Sequence, residues 1–175
     1  MTETVETNAE ETAYACVYCK TGSEEQLVRD LKMSWPDLTA MNPTKLRYRR
    51  INGKPVAEKV SLFPGYIFLC LPGDYPIYRL KLSGLLYKIL RDSDDDWRLS
   101  GADRVFAQKL FETDGVLGFS KAFYEGDRIH IVDGPLKALE GNIIRVNHRK
   151  RTAQVRLSVQ GVDMSVWLGF ELMET

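Results

Sequence analysis

Phe63-Pro64-Gly65-Tyr66-Ile67-Phe68-Leu69-Cys70-Leu71 is the stretch whose reading decides the fold. Pro64 and Gly65 interrupt whatever element runs into them, because one fixes φ and the other accepts backbone angles that other residues avoid. The unbroken apolar run from Tyr66 to Leu71 then reads as a central strand buried on both faces. Such a strand needs neighbours, and the sequence before it offers one. Tyr14 to Cys19 is a β-prone run, Lys20-Thr21-Gly22 a turn, and Ser23 a helix N-cap with Gln26 at the capping-box position. The helix is expected over Glu24 to Ser34, with Leu27, Val28, Leu31 and Trp35 forming one apolar stripe and Pro36 ending it.

Leu46 and Tyr48 alternate with Arg47 and Arg49, the period of a strand with one buried and one basic face. Asn52-Gly53 suits a two-residue hairpin turn that needs positive φ, so the chain is expected to return through Val56 to Leu62. After the central strand come a short helix near Tyr75 to Lys81, a strand near Leu86 to Arg91, and a helix opened by Ser100 that carries Val105, Phe106 and Leu110. This order predicts an α+β sandwich over residues 13–112. Residues 1–12, rich in glutamate and threonine, read as a disordered acidic tail. Residues 113–120, with two glycines and few charges, read as a linker. Beyond them, residues 121–175 show short strands broken by Asp133-Gly134-Pro135, the basic turn His148 to Arg151, and Gln160-Gly161, the pattern of a small all-β barrel.

The 175 residues carry 24 basic and 24 acidic side chains, so any nucleic-acid role must come from local patches. No apolar stretch approaches the ~20 residues of a membrane span, and no secretory pattern opens the chain. Three cysteines, an odd number in apolar surroundings, fit a reducing compartment, and the expectation is a cytoplasmic monomer. Cys16-Val17-Tyr18-Cys19 imitates a redox CxxC. In that chemistry the first cysteine caps a helix, whereas here the helix signal starts past both thiols, and positions three apart on a strand face opposite ways. Cys70, His130 and His148 are too scattered for zinc, and the acidic run Asp92 to Asp96 lacks the glycine and distal glutamate of a calcium loop. Neither a cofactor nor a metal is expected, and no catalytic constellation is found.

Two segments together carry a resemblance. Phe63 to Leu69 resembles the FPGY segment of the N-terminal domain of the NusG family, and Gly126 to Gly141, with Asp133-Gly134-Pro135 inside it, resembles the family's KOW motif. The resemblance covers roughly Ala13 to the C-terminus. It implies an NGN domain, an α/β sandwich around an antiparallel sheet, followed by a small SH3-like KOW barrel. It also implies a transcription elongation factor whose NGN domain binds the clamp helices of the largest RNA polymerase subunit. The matching positions are Tyr14, Tyr18, Phe63, Pro64, Gly65 and Tyr66. The KOW half departs from ordinary members: Leu136 and Leu139 stand where phenylalanines are usual, and Val159-Gln160-Gly161-Val162 replaces a Phe-Gly-Arg turn. That puts contacts with ribosomal protein S10 and Rho in doubt. It points toward the operon-restricted antiterminators, LoaP more than the fold-switching RfaH, because the strand-rich pattern is kept. A general NusG-type elongation and termination factor and a stand-alone KOW RNA-binding protein are the alternatives, with a CxxC thiol oxidoreductase the remote one.

Two basic clusters are candidates for nucleic acid. Lys137, Arg145, His148, Arg149, Lys150 and Arg151 surround a strand junction of the KOW half, where nascent RNA is the expected partner. Lys45, Arg47, Arg49 and Arg50, joined by Lys54 and Lys59 and opposed by Glu58, line the hairpin, where non-template DNA is the candidate. A solvated face kept soluble by its charges is the bland alternative for both.

Overall fold

The computed structural model describes residues 11–174, so the first ten residues of the expected acidic tail lie outside it. Thr12 is already paired, opposite Pro72. The chain divides into two compact units. The first comprises the chain up to Asn42 and Gly65–Gln108, the second Pro43–Pro64 and the chain from Lys109 onward.

The first unit is an antiparallel sheet with helices. β1 (Thr12–Cys19) leads to α1 (Glu24–Ser34) and β2 (Thr39–Met41). The apolar run becomes β5 (Tyr66–Pro72), followed by a 3₁₀ turn over Ile77–Leu82 and β6 (Leu86–Ile89). The sheet order is β2-β5-β1-β6, so β5 has a neighbour on each edge, as its continuous apolar pattern requires. Strand alternation splits β1 between two layers. Ala13, Ala15, Val17 and Cys19 join Leu27 and Leu31 of α1 and Ile67, Leu69 and Leu71 of β5 in one core, with Val28 and Trp35 packed against it. On the other face Cys16 lies opposite Phe68, whose ring meets Phe106 edge-on at 6.1 Å. Phe106 belongs to α2 (Gly101–Glu112), which also buries Ala107 and Leu110 but leaves Val105 exposed.

The start of α1 differs from the expected capping box. Ser23 makes no side-chain cap, and Gln26 bonds Asp30 and is bonded by Arg29. Glu24 replaces both: its carboxylate is buried and accepts hydrogen bonds from the Gly22 and Gly65 amides, at 2.9 and 2.7 Å. A carboxylate reaches two amides at once, where the serine hydroxyl would reach one. It ties the helix start to the turn at Gly65.

The second unit contains the hairpin and the C-terminal strands. β3 (Thr44–Ile51) and β4 (Lys54–Ser61) pair over eight positions, closed by Asn52 and Gly53 with φ of 52° and 76°. The expected buried face is missing: Leu46 is half-buried, and Tyr48 remains 53% exposed. The expected linker is structured, since β7 (Val116–Leu117) pairs in parallel with β3 and the Gly115 carbonyl accepts the Thr44 amide at 2.7 Å. Five strands follow: β8 (Ser120–Glu125), β9 (Arg128–Asp133), β10 (Ile143–Asn147), β11 (Thr152–Val159) and β12 (Val162–Leu172). Their order is β10-β11-β12-β8-β9, with β12 and β8 parallel. Alternate residues, among them Val155, Leu157, Val166, Leu168 and Phe170, make a separate core. Gly134 is needed at its turn, because its φ is 96° and an added Cβ would stand 2.6 Å from the Ser120 Cα. The short helix α3 (Pro135–Ala138) then buries Leu136, whose amide donates to Ser120 Oγ. The whole is an α+β sheet unit joined to a small all-β one, the class expected from sequence.

Candidate functional site

In the first unit, the sheet face that carries Tyr14, Cys16 and Phe68 ends in aromatic side chains. Tyr18 and Tyr66 are direct cross-strand partners with ring centroids 5.2 Å apart, and Tyr87 of β6 approaches Tyr18 at 6.0 Å. Tyr18 and Tyr66 are half-buried, whereas Tyr87 is 58% exposed. Gly65 sets this row. Its carbonyl accepts the Cys19 amide at 2.8 Å, and a Cβ there would come within 2.9 Å of the Tyr18 ring. Only glycine lets β1 and the turn before β5 close with that ring in place. Burial raises the Tyr66 hydroxyl pKa, with Cys16 and Tyr18 adding to it, so the phenol stays neutral and able to donate.

The other expected anchors are placed differently. Tyr14 is 8% exposed, with the Arg104 guanidinium 5.3 Å from its ring centroid, and Phe63 is 3% exposed within the second unit. Both rings are core groups, while Pro64 is exposed. Sequence reasoning misses Tyr87, because it lies in a short strand with no motif around it. Its value as surface depends on register, Tyr18 standing opposite Lys88 across a bulge.

Tyr87 also lines a cleft of about 420 Å³ with Lys81, Lys88, Ile89, Arg91 and Asp95. Arg91 is fixed there by Asp95 at 2.9 Å and lies 4.8 Å over the Tyr78 ring, while Lys81 sits 5.5 Å from the same ring. An apolar aromatic row therefore runs into a basic cleft, an arrangement suited to an amphipathic segment with acidic flanks.

The expected nucleic-acid residues of the second unit fall in three places. Arg145 is on β10 opposite Gln154, and His148, Arg149, Lys150 and Arg151 form the exposed turn to β11. Within that turn Lys150 donates its amide to Asn147 Oδ1, and the His148 ring shares a 2.7 Å hydrogen bond with the Tyr124 hydroxyl. Lys137 stands apart on α3, paired with Glu140 at 3.3 Å. On the hairpin, Arg47 and Arg49 share Glu58 at 2.7 and 3.9 Å. Arg50, Lys54 and Lys59 are also exposed. Lys45 differs, since its ammonium donates to the Trp167 carbonyl and burial lowers its pKa, helped by Arg47.

The thiols are ill-suited to redox work. Cys19 lies in the α1-side core while Cys16 lies on the opposite face, and all three cysteines are free. Burial pushes Cys16 far above the ordinary thiol range and raises Cys19 to about 11, so neither supplies a thiolate near neutral pH. Among the described residues no cluster of histidine, cysteine and carboxylate side chains could hold a metal ion.

No family model matches the sequence, and no curated protein matches it. Among solved structures the chain resembles NusG of Thermotoga maritima, a structure described as showing a domain interaction. The TM-score is 0.51 at 16% identity, over 91% of this chain and 94% of that one. The fold is NusG-like. The correspondence runs through nearly the whole of both chains, so the likeness takes in the α+β unit and the five-stranded one.

Proposed function

We propose that this chain is a transcription elongation factor of the NusG type that binds RNA polymerase through its first unit and acts as an antiterminator on particular operons. The observation that carries the reading is the Tyr18–Tyr66–Tyr87 row, set by Gly65 in a NusG-like fold and continued by a basic cleft. Aromatic side chains held by packing give large contact area at low entropy cost, which suits docking on a helical surface such as the polymerase clamp. Tyr66, Tyr18 and Tyr87 are the anchors; Tyr14 and Phe63 are core side chains of their own units. The second unit contacts nucleic acid near the transcribing polymerase through its basic residues.

An operon-restricted role, of the LoaP kind, is favoured over a general one by the second unit. Leu136, at a position where ordinary members present phenylalanine to partners, is fully buried. Gln160 and Gly161 form a tight positive-φ turn between β11 and β12, with φ of 48° and 77°. Neither feature offers the aromatic surface expected for ribosomal protein S10 or Rho.

The test is transcription in vitro on two templates, one carrying the leader of the operon next to the gene and one an unrelated leader, each with a downstream terminator. Read-through should rise on the first template and fall back with Tyr66→Ala. Equal stimulation of both templates would make the protein a general elongation factor, and no change on either at saturating protein would refute the reading.

A further inference from the structure

The hairpin and the basic turn, about a hundred residues apart in the chain, are linked by a clasp midway along the hairpin. The Tyr48 ring stacks on Phe119 with centroids 4.4 Å apart and planes 8° apart, and its hydroxyl donates to Glu171 at 2.5 Å. Phe119 in turn lies on Gly169, where an added Cβ would meet the ring at 2.7 Å. Gly169 is the cross-strand partner of Thr152, and the Arg151 carbonyl accepts the Phe170 amide at 2.9 Å. Lys45 adds a second tie, donating to the Trp167 carbonyl. Tyr48 is thus separated by one ring and one strand from the residues that close the basic turn.

The register of the hairpin puts Arg47, Arg49 and Ile51 on one face with Lys54, Val56 and Glu58. That face has no core beneath it: Ile51 and Val56 are 47% and 42% exposed, and the Arg47 and Arg49 side chains 58% and 65%. A two-stranded ribbon has strands about 4.8 Å apart, and with side chains it fits the B-form major groove, roughly 12 Å wide. It does not fit the deep, narrow major groove of A-form RNA. Cations grip phosphates, and exposed aliphatic side chains suit thymine methyl groups.

We propose that the β3–β4 hairpin and the β10–β11 turn, clasped by Tyr48 on Phe119, form one surface for duplex DNA. The hairpin enters the major groove, and Arg149, Lys150 and Arg151 take the flanking phosphates. The inference rests on the reading that the second unit meets nucleic acid beside the polymerase, and its test uses no polymerase, so the two fail separately.

The experiment is a salt titration of fluorescence anisotropy with the full chain and a short B-form duplex. Two charge triples are compared with the parent: Arg47→Gln, Arg49→Gln, Lys54→Gln, and Arg149→Gln, Lys150→Gln, Arg151→Gln. Each triple should weaken a single 1:1 binding event, by on the order of tenfold, and lower the slope of log affinity against log salt by roughly 0.9 for each phosphate no longer neutralised. Tyr48→Ala keeps every cation yet should weaken binding by a comparable factor. Glu171→Gln, which removes just the hydrogen-bond acceptor charge, gives a milder loss and covers the case in which the alanine variant unfolds. The proposal is overturned if either triple leaves affinity unchanged, or if both act while the clasp variants bind normally, because the two clusters are then separate. It is equally overturned if duplex RNA or single strands compete as well as duplex DNA.

Discussion

The two hairpins β3–β4 and β11–β12 each pair strands over eight positions, yet they bury opposite amounts of side chain. In β11–β12 the alternate residues Ala153, Val155, Leu157 and Val159 face inward with Met164, Val166, Leu168 and Phe170. In β3–β4 the strand from Arg47 to Ile51 is exposed throughout. Two-stranded hairpins are marginal in water by themselves. The β11–β12 hairpin is held by a core, the β3–β4 hairpin by β7 pairing and the Lys45 tie at its base and the Tyr48 stack midway along it. The lesson is that alternation alone does not make a buried face. The residue between the polar ones must also find a layer to pack on, and at Tyr48 that layer is a single ring. What the β3–β4 hairpin leaves exposed is mostly charge, the property that the proposed DNA surface draws on.

The largest expected contrast between the two comes from truncation. Phe170→Ala should destabilise the second unit by about 3–5 kcal/mol, because a fully buried ring leaves a cavity. Val56→Ala on the β3–β4 hairpin should cost less than about 0.5 kcal/mol. Urea denaturation followed by far-ultraviolet circular dichroism measures both. Similar losses at the two sites would mean that the β3–β4 hairpin packs on a core of its own.

Tyr48→Ala should cost about 1 kcal/mol, the worth of a stacked aromatic pair, and Leu46→Ala, half-buried nearer the base, provides the internal comparison. Hydrogen exchange locates the effect. Amides of β3 and β4 should lose protection while those of β11 and β12 keep theirs. Uniform loss across both hairpins would contradict a local clasp.

The smallest effect concerns the first unit and alkaline pH. Burial, reinforced by Glu24, raises the Cys19 thiol from 9.0 to about 11. The unfolded chain therefore releases this proton at lower pH than the folded one. The stabilisation is fully present below about pH 9 and is lost as pH rises toward 11. Cys19→Ala should flatten the decline of the urea midpoint across that window, relative to its own value at neutral pH. An unchanged decline would place the alkaline sensitivity elsewhere, with Cys16 the next thiol to replace.

Much of the fold was legible because local signals and tertiary demands agreed. The run Tyr66 to Leu71 is a central strand, Glu24 to Ser34 is α1 to the residue, and Asn52-Gly53 closes its hairpin with both residues at positive φ. Where two local signals competed, the sequence was ambiguous. Ser23 and Gln26 have the spacing of a capping box, but Glu24 reaches two amides, one of them brought in from 41 residues away. Pairing across such distances leaves no local trace, and it also hides β7 in the glycine-bearing stretch before Phe119. The candidate site was legible only in part for a related reason. An aromatic residue in a motif carries no mark of its exposure: Tyr14 and Phe63 are buried, Tyr18 and Tyr66 are half-buried, and Tyr87 becomes a neighbour of Tyr18 solely through the pairing of β6 with β1.

Whether the aromatic row docks on polymerase is decided by equilibrium binding of the labelled chain to core RNA polymerase, compared with a Tyr66→Ala, Tyr87→Ala double variant whose folding is verified by its thermal transition. The parent is expected to form a 1:1 complex, and the variant to lose about 1–3 kcal/mol, roughly tenfold or more in Kd. A parent chain that does not bind the polymerase, or a folded variant that binds as tightly as the parent, would contradict docking through this row.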